Sequence, residues 1–384
     1  MEKRFKLPNV TIGILGGGQL ARMTVEAANR LGFQVAILEN SEDSPAGKIA
    51  TFEIVGPWSD TNLLDTLAQT CDVVTLENEF VDCDVLQYLE AKGVPVYPSA
   101  LTLRLIQDKA RQKQVLRSNS IPVPAFATVE NEDDVLAFAR EYGWPLILKA
   151  RRNGYDGKGN WKLDSTADIQ EGFENLTRGG SALMVEAFVP FERELAVMVV
   201  RRSNGEIITY PVVETIQKDH ICHTVTAPAA VSAEVTRRAE QIARGAIEAI
   251  QGVGVFGVEM FQAGGEVLIN ELAPRPHNSG HYTIEACPSS QFDNLLRAIL
   301  DLPLGSTELI APAAMVNLLG QNKRTDGPDG LEQALAVPGA NVHLYGKAES
   351  RPGRKMGHVT ALAPGSNTTK ALEIARQAAN KIIF

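Results

Sequence analysis

Along the first hundred positions the hydrophobic residues fall in short blocks separated by helical patterns. "VTIGIL" (10–15), "QVAILE" (34–39), "DVVTLE" (72–77) and "VPVY" (94–97) read as buried strands. "QLARMTVEAANRLG" (19–32), "NLLDTLAQT" (62–70) and "CDVLQYLEAKG" (83–93) carry apolar residues at helical spacing. Strands alternating with helices predict an open, largely parallel sheet. "TLRLIQDKARQKQVLRSNS" (102–120) reads as one helix, stopped by Pro122 and Pro124.

From about 125 the pattern changes. "WPLILKA" (144–150) is a strand, followed by a Gly-rich loop that runs into another, "RRNGYDGKGNWKL" (151–163). "DSTADIQEGFENL" (164–176) is helical and "ALMVEAFV" (182–189) is a strand. "ELAVMVVRRSNGEIITYPVVE" (194–214) predicts a hairpin turning at Asn204-Gly205. "SAEVTRRAEQIARGAIEAIQGVG" (232–254) is a long helix, and "VFGVEMFQAGGEVLINELA" (255–273) a second hairpin. A helix follows at about 291–300. The tail 313–384 reads as short strands and turns with a last helix near 367–381. The expected units are an N-terminal α/β domain (1–112), a central domain (113–300) with a flap at about 125–190, and a β-rich C-terminal domain (301–384).

Composition narrows the function. The chain has 384 residues, 44% hydrophobic and 22% charged, with a formal net charge of −9. That acidity argues against a nucleic-acid partner. No apolar run reaches the ~18 residues of a membrane span. The first residues read as a strand rather than a secretory signal. Cys71, Cys83, Cys222 and Cys287 show no paired spacing, as expected of reduced thiols in the cytoplasm.

Two glycine loops compete for a nucleotide. "GILGGGQLA" (13–21) places Gly16-x-Gly18-x-x-Ala21 after a strand, with Glu39 ending the next strand. In outline this is the dinucleotide fingerprint. The alternative is a tight turn whose N–H groups hold an anion of the substrate. "NGYDGKGN" (153–160) lies between strands and lacks the GxxxxGK[ST] pattern, so it is no P-loop. It can still fold over phosphates, because glycine allows close approach. Lys149 sits inside an apolar strand, where an unpaired ammonium is costly, so it should point at an anion. Lys109, judged by spacing alone, fits a solvated helix face. Glu186 and Glu194 flank a short linker able to hold an adenine and accept ribose hydroxyls, although either alone reads as a surface charge.

Glu259 and Glu271 lie in apolar strands joined at Gly264-Gly265. A three-residue loop, Gly264-Gly265-Glu266, would set them opposite each other, whereas a two-residue loop would face Glu259 with Asn270. Two facing carboxylates repel unless a cation lies between them, and hard oxygen donors suit Mg2+. The next stretch, "INELAPRPHNSGHYT" (269–283), is too chemically loaded for a plain connection.

Together these residues resemble the ATP-grasp superfamily in order and spacing. Within it, "GILGGGQLARM", "GYDGKG", "EAFVPFERE", "NELAPRPHNSGH" and "YGKAESRPGRKMGH" look like the 5-(carboxyamino)imidazole ribonucleotide synthetases, nearly end to end. The resemblance implies an α/β and α+β architecture: an ATP-grasp fold with an N-terminal parallel-sheet (pre-ATP-grasp) domain and a small β-rich C-terminal domain. It implies an ATP-dependent, ADP-forming carbon–nitrogen ligase of purine biosynthesis. Bicarbonate is phosphorylated to carboxyphosphate, and the amine of 5-aminoimidazole ribonucleotide (AIR) is then carboxylated. Carried over, Lys109, Lys149, Glu186, Ala187, Phe188, Val189 and Glu194 contact ATP. The flap Gly154, Tyr155, Asp156, Gly157, Lys158 and Gly159 covers the nucleotide, with Asn270 and Glu271 below. Gln217 stands on this side, where many members have His. Glu259 and Glu271 hold Mg2+. Arg275, His277 and Asn278 bind bicarbonate. Gln19, Leu20, Glu77, Tyr155, Lys347 and Arg354 surround AIR, and Asp156 is the candidate to take its amine proton. A homodimer is implied by the resemblance alone. The rivals are another ATP-grasp ligase, such as a formate-dependent glycinamide ribonucleotide transformylase, an oxidoreductase using the first glycine loop, and a non-catalytic nucleotide-binding subunit.

Overall fold

The computed structural model describes residues 5–154, 159–177 and 180–384. The N-terminal part forms β1 (Thr11–Leu15), α1 (Gln19–Arg30), β2 (Gln34–Glu39), β3 (Phe52–Val55), α2 (Thr61–Thr70), β4 (Val73–Leu76) and α3 (Cys83–Ala91). The strands pair in parallel in the order β3-β2-β1-β4, as the alternation requires. Two details differ from expectation. β3 carries a half-exposed, partly polar edge pattern that gives little apolar signal. The "VPVY" segment contributes only a bridge between Val74 and Val96, because Pro95 and Pro98 lack the N–H donors a ladder needs.

The expected single helix over 102–120 is two: α4 (Ala100–Gln107) and α5 (Lys109–Ser118). Asp108 breaks it with extended backbone, and its carboxylate accepts from Ala110 N and Arg111 N. Arg151 reaches the same carboxylate through Nε (3.0 Å) and Nη2 (2.6 Å). An N-cap aspartate thus starts a new helix where periodicity sees continuity.

A second sheet, in the order β5-β8-β6-β7, makes the flap region. Its elements are β5 (Phe126–Val129), α6 (Glu132–Tyr142), β6 (Leu146–Ala150), β7 (Asn160–Leu163), α7 (Ile169–Thr177) and β8 (Leu183–Ala187). Leu146, Leu148, Leu163 and Val185 bury their side chains against α6 and α7.

The third sheet begins with β9 (Arg193–Arg201), β10 (Ile207–Thr209), β11 (Val213–Lys218) and β12 (Ile221–Ala227). Pro211 divides the expected return strand: β10 pairs with one end of β9, and β11 with the other. α8 (Ala233–Ala249), β13 (Gly254–Ala263), β14 (Glu266–Ala273), α9 (Thr283–Ala286) and α10 (Gln291–Ile299) follow. The C-terminal part has β15 (Ala313–Leu319), α11 (Leu331–Leu335), β16 (Ala340–Leu344), β17 (Lys355–Leu362) and α12 (Thr368–Ala379). Its strands join the central sheet through β12–β15 pairing, giving the order β14-β13-β9-β11-β12-β15-β17-β16. One apolar core runs from α1 and α10 through β9 and β12 to Met315 and Tyr345. That continuity packs the N-terminal part against the central sheet and its C-terminal strands.

Candidate active site

The first corner of the site is built where α5 meets β6, β8 and β14. Because α5 restarts at Asp108, Lys109 occupies its first turn, 12% exposed, with Nζ 2.5 Å from Glu271 Oε1. The solvated-face alternative fails for this reason. Lys149 Nζ lies 2.8 Å from Glu186 Oε2 and donates to Asn270 Oδ1 at 3.4 Å. Glu186 is buried, not a surface charge, and also faces Lys113 Nζ at 3.2 Å. Burial alone would raise the Glu186 carboxyl, but Lys113 and Lys149 outweigh it and hold it below the usual range. β8 ends at Ala187, and Phe188 and Val189 continue as the linker toward β9. There Glu194 stands with its carboxyl raised by burial and partly offset by a hydrogen bond from Gln217. Gly154 and Gly159 close the neck of the flap: a Cβ on Gly159, at φ +95°, would lie 3.0 Å from Gly154 Cα. Tyr155, Asp156, Gly157 and Lys158 lie outside the described residues.

The facing carboxylates are present, by a different route from the expected one. Gly264 (φ 55°) and Gly265 (φ 83°) form a two-residue turn with Ala263 opposite Glu266, the geometry of a type I′ hairpin. Met260 therefore faces Ile269. A register shift then leaves Asn270 unpaired and brings Glu259 opposite Glu271. The three-residue loop is replaced by a β-bulge at Asn270, which bends the strand and re-aims its side chains. Glu259 is pushed up to about 7, first by burial and then by Glu271 and Glu194. Its neighbour is His277, with Nε2 at 3.4 Å. Burial, Arg275 and Lys355 push His277 well below the usual histidine range, so it is neutral and does not compensate Glu259.

The loop after β14 lies over β13. A Cβ on Gly257 would sit 2.6 Å from His277 Cβ, so glycine is needed for this approach. Gln291 pins the loop by accepting from His277 N and donating to His277 O, both at 2.9 Å. His277 Nδ1 and Ser279 Oγ are 2.8 Å apart. Asn278 exchanges two amide hydrogen bonds with Asn317, at 2.9 and 2.6 Å. Its side chain therefore fastens the loop to β15. Arg275 is paired through Nε and Nη2 with both carboxylate oxygens of Glu79, a bidentate fork of the kind that suits a planar carbonate.

The third corner is the start of α1. Gly17 N donates to Glu39 Oε2 at 2.7 Å, and Leu20 N to Glu77 Oε1 at 3.3 Å. Glu39 is thus turned onto the loop's own backbone rather than toward a ribose site. Glu77 is 9% exposed and raised by burial, with Asn78, Arg275 and Lys347 opposing. Gln19 opens the helix beside it. Lys347 Nζ donates to Lys355 O at 2.7 Å, and Arg354 Nη1 to Glu349 O at 2.6 Å. Lys347 is near enough for Glu77 to feel its charge, while Arg354 is held within its own loop.

Lys109, Glu79, Glu271, Arg152 and Gly154 line one cavity of about 210 Å³ between these parts. Sequence reasoning missed Lys113, Glu79, Gln291 and Asn317. Lys113 carried one signal: it follows Lys109 by four residues and shares its helix face. The other three are read only from long-range pairing.

Three family models match the chain: the ribonucleotide synthetase preATP-grasp domain over residues 9–107, the ATP-grasp domain over 114–292, and the phosphoribosylaminoimidazole carboxylase C-terminal domain over 313–372. The N5-carboxyaminoimidazole ribonucleotide synthase of Synechococcus elongatus is 43% identical over 367 residues, covering 95% of this chain and 92% of that protein. The phosphoribosylaminoimidazole carboxylase of Schizosaccharomyces pombe is 46% identical over 92% of this chain, which spans 65% of that longer protein. A crystal structure of an N5-carboxyaminoimidazole ribonucleotide synthetase with ADP superimposes with TM-score 0.91 at 39% identity, covering 98% of both chains. The Aspergillus clavatus synthase in complex with ADP and 5-aminoimidazole ribonucleotide gives 0.88 at 40% identity, covering 97% of this chain and 98% of that one. The chain belongs to the N5-carboxyaminoimidazole ribonucleotide synthetase family of ATP-grasp ligases.

Proposed function

We propose that this chain uses ATP to carboxylate the exocyclic amine of AIR with bicarbonate, through carboxyphosphate. The products are N5-carboxyaminoimidazole ribonucleotide, ADP and phosphate. The observation that carries this reading is the position of the Glu259–Glu271 pair. It stands between the lysine-lined nucleotide side and the Arg275–His277 loop. A relative solved with both ADP and AIR supports the choice of substrates.

The pair suits Mg2+. It offers hard oxygens, and burial with the Glu271 charge raises Glu259's carboxyl to about 7, a repulsion that a cation between the two would relieve. Among the described residues no three His, Cys, Asp or Glu gather to hold a metal alone, which fits an ion completed by phosphate oxygens. Bound there, Mg2+ supplies charge neutralisation for phosphoryl transfer.

The protein's own groups do the positioning. Lys109 and Lys149 take the phosphates, the 187–189 linker and Glu186 the base, and Glu194 the ribose. Glu271 gives up Lys109 as the nucleotide arrives. Arg275 turns its fork to bicarbonate, with His277 neutral beside it, and Asn278 keeps the loop in place through Asn317. Gln19, Leu20 and Glu77 seat AIR, with Lys347 and Arg354 on its phosphate and Tyr155 on its ring. Asp156, on the flap, takes the amine proton. The expected domains (1–112, 113–300, 301–384), cytoplasmic location and homodimer belong to the same proposal. The four buried free thiols support the location, and sedimentation tests the dimer. Among the described residues no helix is long and apolar enough to cross a membrane.

ADP release with Mg2+ and bicarbonate, with and without AIR, tests the function. Release that depends on AIR supports it. Release that instead follows formate and glycinamide ribonucleotide assigns the chain to the transformylase alternative.

A further inference from the structure

Lys113 is 1% exposed, yet it is a charged group beside the nucleotide. Its ammonium donates to Asn270 O at 3.1 Å and Ile269 O at 3.4 Å, and stands 3.2 Å from Glu186 Oε1 as an ion pair. Two hydrogen bonds to backbone carbonyls and one ion pair thus hold it where it lies. Lys149 shares Glu186 but differs in position. Its second contact is Asn270 Oδ1, on the side where Glu271 and the phosphates lie, and it is less buried. Two ammoniums thus share one carboxylate, leaving an excess positive charge at the edge of an anion site.

A polyphosphate arriving there competes with Glu186 for one of the lysines. Lys149 borders the phosphate side. Lys113 is behind it, held by two backbone carbonyls. If Lys149 turned to the phosphates and nothing else faced Glu186, a buried carboxylate would be left without a partner, which is strongly unfavourable.

We propose that Lys113 is a positioning residue for this ligase: it stays as the fixed counter-charge of Glu186 and so frees Lys149 to engage the nucleotide's phosphates. The inference rests on the nucleotide reading of this site. The groups facing Lys113 are Glu186 from β8, Lys149 from β6 and Lys109 on its own helix, with only carbonyls from β14. Burial pulls Lys113 down to about 8; Glu186 opposes this, and Lys149 and Lys109 add to it. At pH 7 it is therefore mostly protonated.

The test is calorimetric titration of the full chain with MgADP at pH 7, in two buffers of different ionisation enthalpy. The proteins are wild type, Lys113→Met, Lys113→Arg, Glu186→Gln and the Lys113→Met/Glu186→Gln double variant. Wild type sets the reference proton count, since Glu259, raised to about 7, changes its protonation with Mg2+ in every variant alike. Lys113→Met binds roughly 30-fold or more weakly, on the scale for removing one partner of a buried charge pair. It takes up close to one proton per ADP more than wild type, because Glu186 protonates when Lys149 leaves it. Lys113→Arg restores the wild-type proton count. The double variant binds ADP as Glu186→Gln alone does, since no charge remains to be compensated. If Lys113→Met does not fold, the double variant, which removes both charges, carries the comparison. ADP binding by Lys113→Met within about twofold of wild type and with the wild-type proton count overturns the proposal. A further loss in the double variant beyond Glu186→Gln overturns it too. A wild-type chain that binds no ADP overturns the nucleotide reading itself, and this inference with it.

Discussion

Replacing Gly18 by Ala tests whether Glu77 and the start of α1 form the AIR seat. Gly18 has φ −75° and ψ −159°, which alanine adopts freely, so the cost comes from space alone. The new Cβ would lie 2.2 Å from Glu77 Oε1, 2.8 Å from Cδ and 2.9 Å from Oε2. The carboxylate must retreat by about an ångström to relieve that overlap. It then loses the N–H of Leu20, now 3.3 Å away, a bond whose loss costs about 0.5–1.5 kcal/mol. Being 9% exposed, it has little water to move into. A misplacement of that size at a substrate-positioning group lowers rate by about 10²-fold. The expected result is a fall of roughly that size in kcat/KM for AIR at saturating ATP, with the KM for ATP unchanged. Adding Glu77→Asp, one methylene shorter, removes the collision and restores stability but not AIR turnover. A Gly18→Ala enzyme with wild-type kcat/KM for AIR would refute the reasoning, because the overlap leaves Glu77 no way to stay in place.

Glu271→Gln removes one of the facing carboxylates and the partner of Lys109; turnover should fall by about 10²-fold or more, and near-normal turnover at limiting Mg2+ contradicts the metal assignment. Asp156→Asn should keep ATP affinity and lose AIR carboxylation, whereas loss of both would make Asp156 a loop cap instead. His358 is fully buried and pushed well below its usual range, first by burial and then by His281 and His343. The unfolded chain protonates first as pH falls below about 6.5, so the stability His358 allows is whole above that pH and is lost below it. In urea unfolding, the stability gap between wild type and His358→Gln should close by about 1.4 kcal/mol per pH unit below 6.5; a constant gap down to pH 5.5 would show that His358 accepts its proton in the folded chain.

Local signals gave most of the elements. The strands of the first sheet, the long helix α8 and the Gly-Gly hairpin follow from periodicity and turn chemistry. What failed was punctuation that depends on tertiary partners. Asp108 breaks a helix because Arg151, 43 residues on, holds its carboxylate. The Asn270 bulge is invisible in sequence, since Lys113 and Lys149, from two other elements, fix Asn270. The expected Glu259–Glu271 juxtaposition is therefore correct although its supposed loop is not. The motifs named most of the groups brought together here, because close approach needs glycine and the chemistry needs carboxylates. They did not reveal that Glu79 takes the Arg275 fork or that Lys113 shares Glu186, since these pairs join residues 196 and 73 positions apart.

The central claim is that the Arg275 loop presents bicarbonate to the γ-phosphate of ATP. It is tested by turning over AIR with ATP and bicarbonate labelled with 18O in all its oxygens, then weighing the released phosphate by mass spectrometry. If bicarbonate is phosphorylated, one labelled oxygen appears in each phosphate formed, in step with carboxylated product. Unlabelled phosphate accompanying the same amount of product would contradict the account.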